Sequence, residues 1–170
     1  FPFTYKEIFS KMSEIKENIF YLTILATCSV SGFNSLVYLS MNYAQAIDGT
    51  LMISIIPVFV LFISSMLKIE RFNYFQLIGL IVSFFGALII FSNADINKIL
   101  SLNFNKGNIL MLFAVFCWAL YSSLLKKRKL TFSTLALVQI LAAIGLISLV
   151  PQFYFEYSLG KNINFNKNFF

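Results

Sequence analysis

The sequence predicts an all-α membrane protein, a multi-helix transmembrane bundle of about five helices. Its mean hydropathy is +0.81, and 59% of its residues are hydrophobic while only 12% are charged. A soluble domain is typically about one quarter charged. Apolar runs of about 20 residues recur along the chain, and each is long enough to cross roughly 30 Å of hydrocarbon as a helix. Strands of a membrane barrel would instead show strictly alternating runs of about 10 residues, and none occur in the sequence.

Five apolar runs follow one another between more polar segments. The predicted transmembrane helices cover about residues 21–43, 49–67, 74–92, 107–125 and 131–151. Residues 1–18, in which lysine and glutamate are mixed, precede the first run, and an Asn- and Lys-rich loop at 94–106 separates the third from the fourth. Residues 152–170 are expected to form an Asn-rich loop.

The basic residues predict how the bundle is oriented. The segments 1–18, 68–73 and 126–130 lie on one side of the predicted bundle and carry nine lysines and arginines, while the other side carries four. Because lysine and arginine concentrate in cytoplasmic loops, we expect these three segments to be loops that face the cytoplasm, in a bacterial plasma (inner) membrane. The basic run at 126–129 is interpreted as a topology anchor rather than a phospholipid or nucleic-acid site.

Residues that carry metal, redox or acid–base chemistry are scarce in the apolar runs. The chain has no histidine, and its two cysteines, Cys28 and Cys117, lie in different runs without metal-ligand spacing, so we interpret them as small apolar residues. All seven acidic residues lie outside the runs or at their edges, which leaves no buried carboxylate for a proton relay. Hydrolase, metalloprotease and nucleotide-binding motifs are absent. We therefore expect no catalytic residue, no metal or other cofactor, and no nucleic-acid partner.

The first apolar run carries a stripe of polar side chains. At 100° per residue, one sector of about 100° holds Thr27, Ser31, Asn34, Ser35, Tyr38 and Asn42. Amides and hydroxyls that faced lipid would lose their hydrogen bonds to water, so this face is expected to meet protein or a wet cavity. The hydroxyls fit helix–helix packing equally well. For Asn34, Tyr38 and Asn42 we favour the wall of a substrate pathway.

The second and third runs carry a proline and a ridge of small residues. Ser54 and Pro57 share one face of the second run with Thr50 and Ser64, and Pro57 removes the helical partner of the Ile53 carbonyl. Transporters place such breaks at substrate sites, although a passive kink is an equal alternative. In the third run, one face is formed by small residues: Gly79, Ser83 and Gly86. This ridge predicts close helix packing.

Three larger residues in the last two runs are further candidates for the pathway. Trp118 lies about halfway along the fourth run, too deep for a residue of the interfacial aromatic belt, and Tyr121 lies beside it. Each either packs in the core or lines the pathway. Gln139 is the amide inside the fifth run, and packing and function are equally open for it.

Several motifs resemble those of one known family and occur in the same order. The motifs are Ala44, Ala46, Pro57-Val58-Phe59, Glu70, Gln76-Leu77, Gly79 and Gly86, followed by Gly107, Ala114, Trp118-Ala119 and Tyr121. The first group resembles the third-to-fifth helix region of the EamA-like branch of the drug/metabolite transporter superfamily. The second group resembles the start of that family's second repeat.

This resemblance implies a carrier of ten helices in two inverted repeats, with substrate bound near the midplane between them. Residues 1–93 would then be the C-terminal part of the first repeat and 107–170 the N-terminal part of the second, a fragment covering about helices three to seven. Glu70, Gly79 and Gly86 would be structural motif residues. The expected partners are membrane lipid and a small-molecule metabolite, with a homodimer left open. A non-transporting membrane scaffold, in which the stripes are only packing surfaces, is the alternative.

Overall fold

A computed structural model describes residues 4–43, 46–69, 73–92, 106–127 and 130–158. Within these ranges the structure is helical and contains no β-strand, which confirms the predicted all-α class. The helices are α1 (Tyr5–Ser10), α2 (Met12–Glu17), α3 (Ile19–Ala26), α4 (Phe33–Met41), α5 (Ala46–Ile53), α6 (Ile56–Met66), α7 (Tyr74–Ser92), α8 (Lys106–Lys127) and α9 (Thr134–Ser158), with a π-helix at Thr27–Gly32 between α3 and α4.

All five predicted membrane spans are helical. Three continuous helices of the described chain are long and apolar enough to cross a membrane: Ile19–Met41, Lys106–Lys127 and Thr134–Tyr154. The second predicted span corresponds to the shorter helices α5 and α6, and the third corresponds to α7. The protein is therefore an all-α membrane bundle, as its composition predicts.

Two segments that the sequence predicts as loops are helical. Part of the segment 1–18 forms the short helices α1 and α2. Helix α1 packs against α9, and α2 packs against α3. The last span also continues past its predicted end, since α9 contains Pro151 and extends to Ser158. A proline removes only its own N–H from a membrane helix, and neighbouring groups compensate for that loss.

The first long helix contains a wider turn that periodicity does not predict. Thr27–Gly32 form a π-helix, in which hydrogen bonds join residues five apart. Gly32 allows this geometry because a Cβ at that position would lie 2.8 Å from the Thr27 carbonyl oxygen. Turns of this kind occur frequently at functional sites.

The second span is broken where Pro57 predicts a break. Helix α5 ends at Ile53 and α6 begins at Ile56, so Pro57 lies in the first turn of a new helix. A proline is tolerated there because the first N–H groups of a helix have no intrahelical acceptor. The two residues between the helices form a turn, in which the Ile55 amide bonds the Met52 carbonyl at 3.1 Å.

The core is built around α8 and α9. Helix α8 packs against both α4 and α6, and α9 packs along α3 and the π-helix. Helix α9 approaches the π-helix closely at Gly145, where a Cβ would lie 2.4 Å from the Cβ of Val30. A buried apolar cluster joins α3 to α9 through Leu22, Leu25, Ala26, Ile140 and Leu141. Helix α7 has few contacts with the other helices and leaves most of its described side chains exposed.

Candidate functional site

The hydroxyl groups of the polar stripe hold helices together. The Ser31 hydroxyl is 2.8 Å from the Ser148 hydroxyl of α9, and Ser35 donates to Gln152 of the same helix at 2.5 Å. Ser40, which lies outside the stripe, is buried and donates to the Val37 carbonyl of its own helix at 2.6 Å. Short side chains let the helix backbones approach closely, as expected for hydroxyl-mediated packing in membranes.

The larger polar residues of the same stripe are exposed. Asn34 donates from its amide nitrogen to the Val30 carbonyl at 2.7 Å, and Asn42 donates to the Leu39 carbonyl at 3.4 Å. Tyr38 is 72% exposed and lies between them. The two amides thus use a donor on their own helix, while the side chains stay on the surface of the described bundle. A face that presents amides and a phenol is poorly suited to hydrocarbon and requires polar surroundings.

A groove opens between α6, α7 and α8. It has a volume of about 530 Å³ and is mostly apolar, with two polar groups, the Gln76 amide and the Ser122 hydroxyl. Pro57 and Gly79 line it, so the helix break and one residue of the small-residue ridge meet at the same opening. Small-molecule sites typically have volumes of about 300–1,000 Å³ and combine apolar walls with a few polar groups. The size and lining of the groove fall within that description.

Ser54, the other pathway candidate of this span, lies beside the groove's helix break. Its hydroxyl donates to the Leu51 carbonyl at 2.6 Å, so it satisfies a backbone group at the end of α5. Ser64, farther along α6, is fully buried and is 3.1 Å from the Ser123 hydroxyl of α8. Of the predicted polar face, Pro57 therefore lines the groove and Ser64 packs.

Trp118 and Tyr121 belong to an aromatic cluster. The Trp118 ring centroid is 4.8 Å from that of Phe33 and 5.4 Å from that of Tyr121. Phe33 is the first residue of α4, so the cluster joins α8 to the start of that helix. Both Trp118 and Tyr121 are half-buried, and Tyr121 also packs against the apolar core.

Gln139 lies away from the other candidates. Its side-chain oxygen accepts a hydrogen bond from the Thr4 hydroxyl at the N-terminal end of the described chain. Gln152, which contacts α4, is thirteen residues farther along α9, or roughly 20 Å at the rise of an α-helix. The structure therefore groups Gln139 with the N-terminal segment rather than with the polar residues of α4.

The motif glycines of α7 have no close neighbour. A Cβ added at Gly79 or at Gly86 would meet no atom within 4 Å. Within the described residues, no helix packs on this ridge at these two positions, so its role in close helix packing stays a prediction. Glu70 lies outside the described residues.

Charged and metal-binding groups do not assemble inside the described spans. Cys28 and Cys117 are free thiols, and no cluster of three or more potential metal ligands occurs among the residues that the structure describes. Recognition of a ligand by this part of the chain would thus rely on amides, hydroxyls and aromatic rings.

Gln76 is the residue that sequence reasoning missed as a pathway candidate. Its position beside Pro57 depends on how α7 meets α6, which periodicity does not encode.

Comparison with protein families identifies the chain. The model of the EamA-like transporter family matches residues 1–92. The chain belongs to the EamA-like transporter family. It is accordingly a multi-pass integral membrane protein of the drug/metabolite transporter type, and its family relationship points to a transporter rather than to an enzyme.

Curated relatives carry transporter names without a substrate. An uncharacterized transporter of Bacillus subtilis, YyaM, is 23% identical over 82% of this chain and 46% of its own length. Uncharacterized transporters of Acidianus ambivalens and Archaeoglobus fulgidus are 28% and 29% identical over 89% and 77% of this chain, and over 57% and 44% of their own lengths. The chain thus spans about half the length of the curated relatives it matches. No solved structure matches it.

Proposed function

We propose that this chain forms one part of a secondary transporter of the plasma membrane that moves a small metabolite, such as an amino acid or a related compound, by alternating access. The observation that carries the proposal is the exposed polar face formed by Asn34 and Tyr38 of α4 and by Asn42, which caps that apolar helix. Such a face is compatible with a membrane only if protein or a water-filled pathway covers it. A second half of a carrier would provide the facing wall, and the curated relatives are about twice as long as this chain.

The groove beside Pro57 and the ring of Trp118 extend the proposed pathway. Breaks in membrane helices expose backbone groups that bind substrates, and Pro57 begins a new helix where the second span is interrupted. Aromatic faces, amides and hydroxyls would recognise the substrate, since the described spans provide no buried charge. Export and uptake are both compatible with this arrangement. In the proposed orientation, the segments 1–18, 68–73 and 126–130 face the cytoplasm.

The test is transport of a panel of labelled metabolites by cells that express the full-length gene product. Asn34→Ala and Trp118→Ala are the test variants, and Leu39→Ala, an exposed apolar position about 140° around the helix from Asn34, is the matched control. We expect one substrate to move, both test variants to transport it with lower apparent affinity while still inserting in the membrane, and the control to match the unsubstituted protein. Loss of a hydrogen bond worth about 1 kcal/mol lowers apparent affinity about fivefold.

The alternative is an integral membrane scaffold without transport activity. It is favoured by the hydroxyl groups of the stripe, which do hold helices together, as at Ser31 and Ser148. If both test variants insert and transport as the unsubstituted protein does, the exposed residues are not part of a pathway. A homodimer could also cover this face, and cross-linking between two copies through Asn34→Cys would reveal it.

A further inference from the structure

Polar contacts join the N-terminal segment to the start of the last helix. Glu7 accepts hydrogen bonds from the Ser133 amide at 2.7 Å and the Ser133 hydroxyl at 2.6 Å. Glu14 accepts hydrogen bonds from the amide of Thr131, at 3.0 Å, and from its hydroxyl. Lys11 donates to Glu7 at 3.1 Å and to the Thr131 carbonyl. We call these contacts of Glu7, Lys11 and Glu14 with Thr131 and Ser133 the clasp.

The clasp uses ionised groups at a helix N-terminus. Ser133 immediately precedes α9, where unpaired N–H groups and the helix dipole favour a negative charge. Hydrogen bonds from the Ser133 hydroxyl and amide hold the pKa of Glu7 at about 2. Those from Thr131 likewise lower the pKa of Glu14. Both carboxylates are therefore charged at physiological pH, with Lys11 as the cation between them.

The clasp connects two distant parts of the chain and remains accessible to water. The segment that supplies the carboxylates lies within the residues matched by the family model, and α9 lies outside them. The side chains of Lys11 and Glu7 are 31% and 25% exposed. Water can thus replace each partner when the contacts separate, and such contacts are easily reversed.

In the segment that supplies the carboxylates, the helical backbone is interrupted at both ends of α2. The backbone leaves helical geometry at Lys11 and again at Asn18, between the six-residue helices α1 and α2 and before α3.

We propose that the clasp is a reversible closure at the cytoplasmic end of the transport pathway. It is closed in the arrangement described here, and it must open when the pathway opens to the cytoplasm. The segment can move away from α9 because α1 and α2 are short helices separated by backbone breaks. The contacts that hold it in place are charged and accessible to water. This inference rests on the proposed function, because it takes both the alternating access and the cytoplasmic orientation from there.

The test measures the distance between the segment and α9 in the full-length protein. Spin labels are attached at Phe9→Cys and Leu135→Cys, both exposed positions, in a background where Cys28, Cys117 and any other cysteine of the full-length protein are replaced by alanine. Pulsed electron paramagnetic resonance gives the distance distribution. We expect a short and a long population. The pair Glu7→Gln and Glu14→Gln should raise the ratio of long to short by about threefold or more, because each loses a charge-assisted contact.

Two further variants keep the result interpretable. Thr131→Val removes only a hydroxyl and should shift the ratio in the same direction by less. Glu17→Gln removes a charge from the same segment outside the clasp and should leave the ratio unchanged. A single short distance in every variant, or two populations whose ratio ignores Glu7 and Glu14, would overturn the clasp.

A separate readout tests the pathway itself. An impermeant thiol reagent is applied from each side of the membrane to Asn34→Cys in the same cysteine-free background. Labelling from neither side contradicts the proposed pathway even if the clasp opens and closes. If Asn34→Cys is labelled but the distance across the clasp never changes, the proposed pathway stands and the proposed closure is wrong.

Discussion

The polar stripe of the first long helix meets two different surroundings. Two of its hydroxyls, on Ser31 and Ser35, reach α9 and form hydrogen bonds of 2.8 and 2.5 Å. Its larger side chains, Asn34, Tyr38 and Asn42, remain at the surface of the described bundle. The difference follows side-chain size, since a hydroxyl permits close backbone contact and a longer amide or phenol prevents it. A polar stripe in a membrane helix can therefore combine a packing surface with a candidate pathway.

The largest expected effect comes from disrupting the packing of α9 against the π-helix. Gly145→Val should lower stability by about 1–3 kcal/mol, because the new side chain would overlap Val30 and push α9 away from the π-helix. The thermal midpoint of the detergent-solubilised protein measures this. Gly86→Val is the matched control, since a Cβ at Gly86 meets nothing within 4 Å. An unchanged midpoint for Gly145→Val would show that this contact does not hold the bundle.

The next variant tests the exposed polar residues without touching the packed hydroxyls. Asn34→Leu keeps the branched shape of the side chain and should leave stability near that of the unsubstituted protein, while the apparent affinity for substrate falls about fivefold through loss of a hydrogen bond. Thermal midpoints and concentration-dependent transport rates separate the two effects. Lower stability with normal transport would instead assign Asn34 to packing.

A buried hydroxyl pair sharpens the packed side of the comparison. Ser123 is buried, 3.1 Å from the Ser64 hydroxyl and within 3.3 Å of the Val60 carbonyl. Ser123→Ala should lower stability by about 0.6 kcal/mol, the average for such contacts in membrane proteins. In the double variant with Ser64→Ala, the further loss of stability should be smaller than the loss caused by Ser64→Ala alone, because the shared contact is already absent. Fully additive losses in the double-mutant cycle would show that the two hydroxyls do not interact.

The smallest expected effect is that of pH on the clasp. A carboxylate whose pKa is lowered on folding stabilises the folded arrangement above its usual pKa, and this contribution is lost only as pH falls from there toward the lowered value. The pKa of Glu7 falls from 4.5 to about 2, and that of Glu14 is also lowered. The distance distribution should therefore not change between about pH 8 and 5.5. A shift toward the long distance in that range would mean that a different group controls the clasp.

Local sequence signals predicted some features of the candidate site and missed others. The break before Pro57 was predicted and confirmed, because the missing N–H is a property of that residue alone. The π-helix was missed, since it depends on Gly32 meeting the Thr27 carbonyl while α8 packs nearby. The contact between Gln139 and Thr4 was also beyond the sequence, because it joins residues 135 positions apart.

The sequence by itself determined the membrane as solvent, the five apolar spans, the family and the set of polar residues that share a helix face. These follow from hydropathy, helical period and motif order, which are local properties. Only the tertiary structure decided that Ser31 and Ser35 meet α9, that Pro57 and Gly79 line one groove, and that Glu7 and Glu14 hold the start of α9. The physical reason is that periodicity fixes which side chains point the same way, whereas the neighbour they meet depends on how the helices pack.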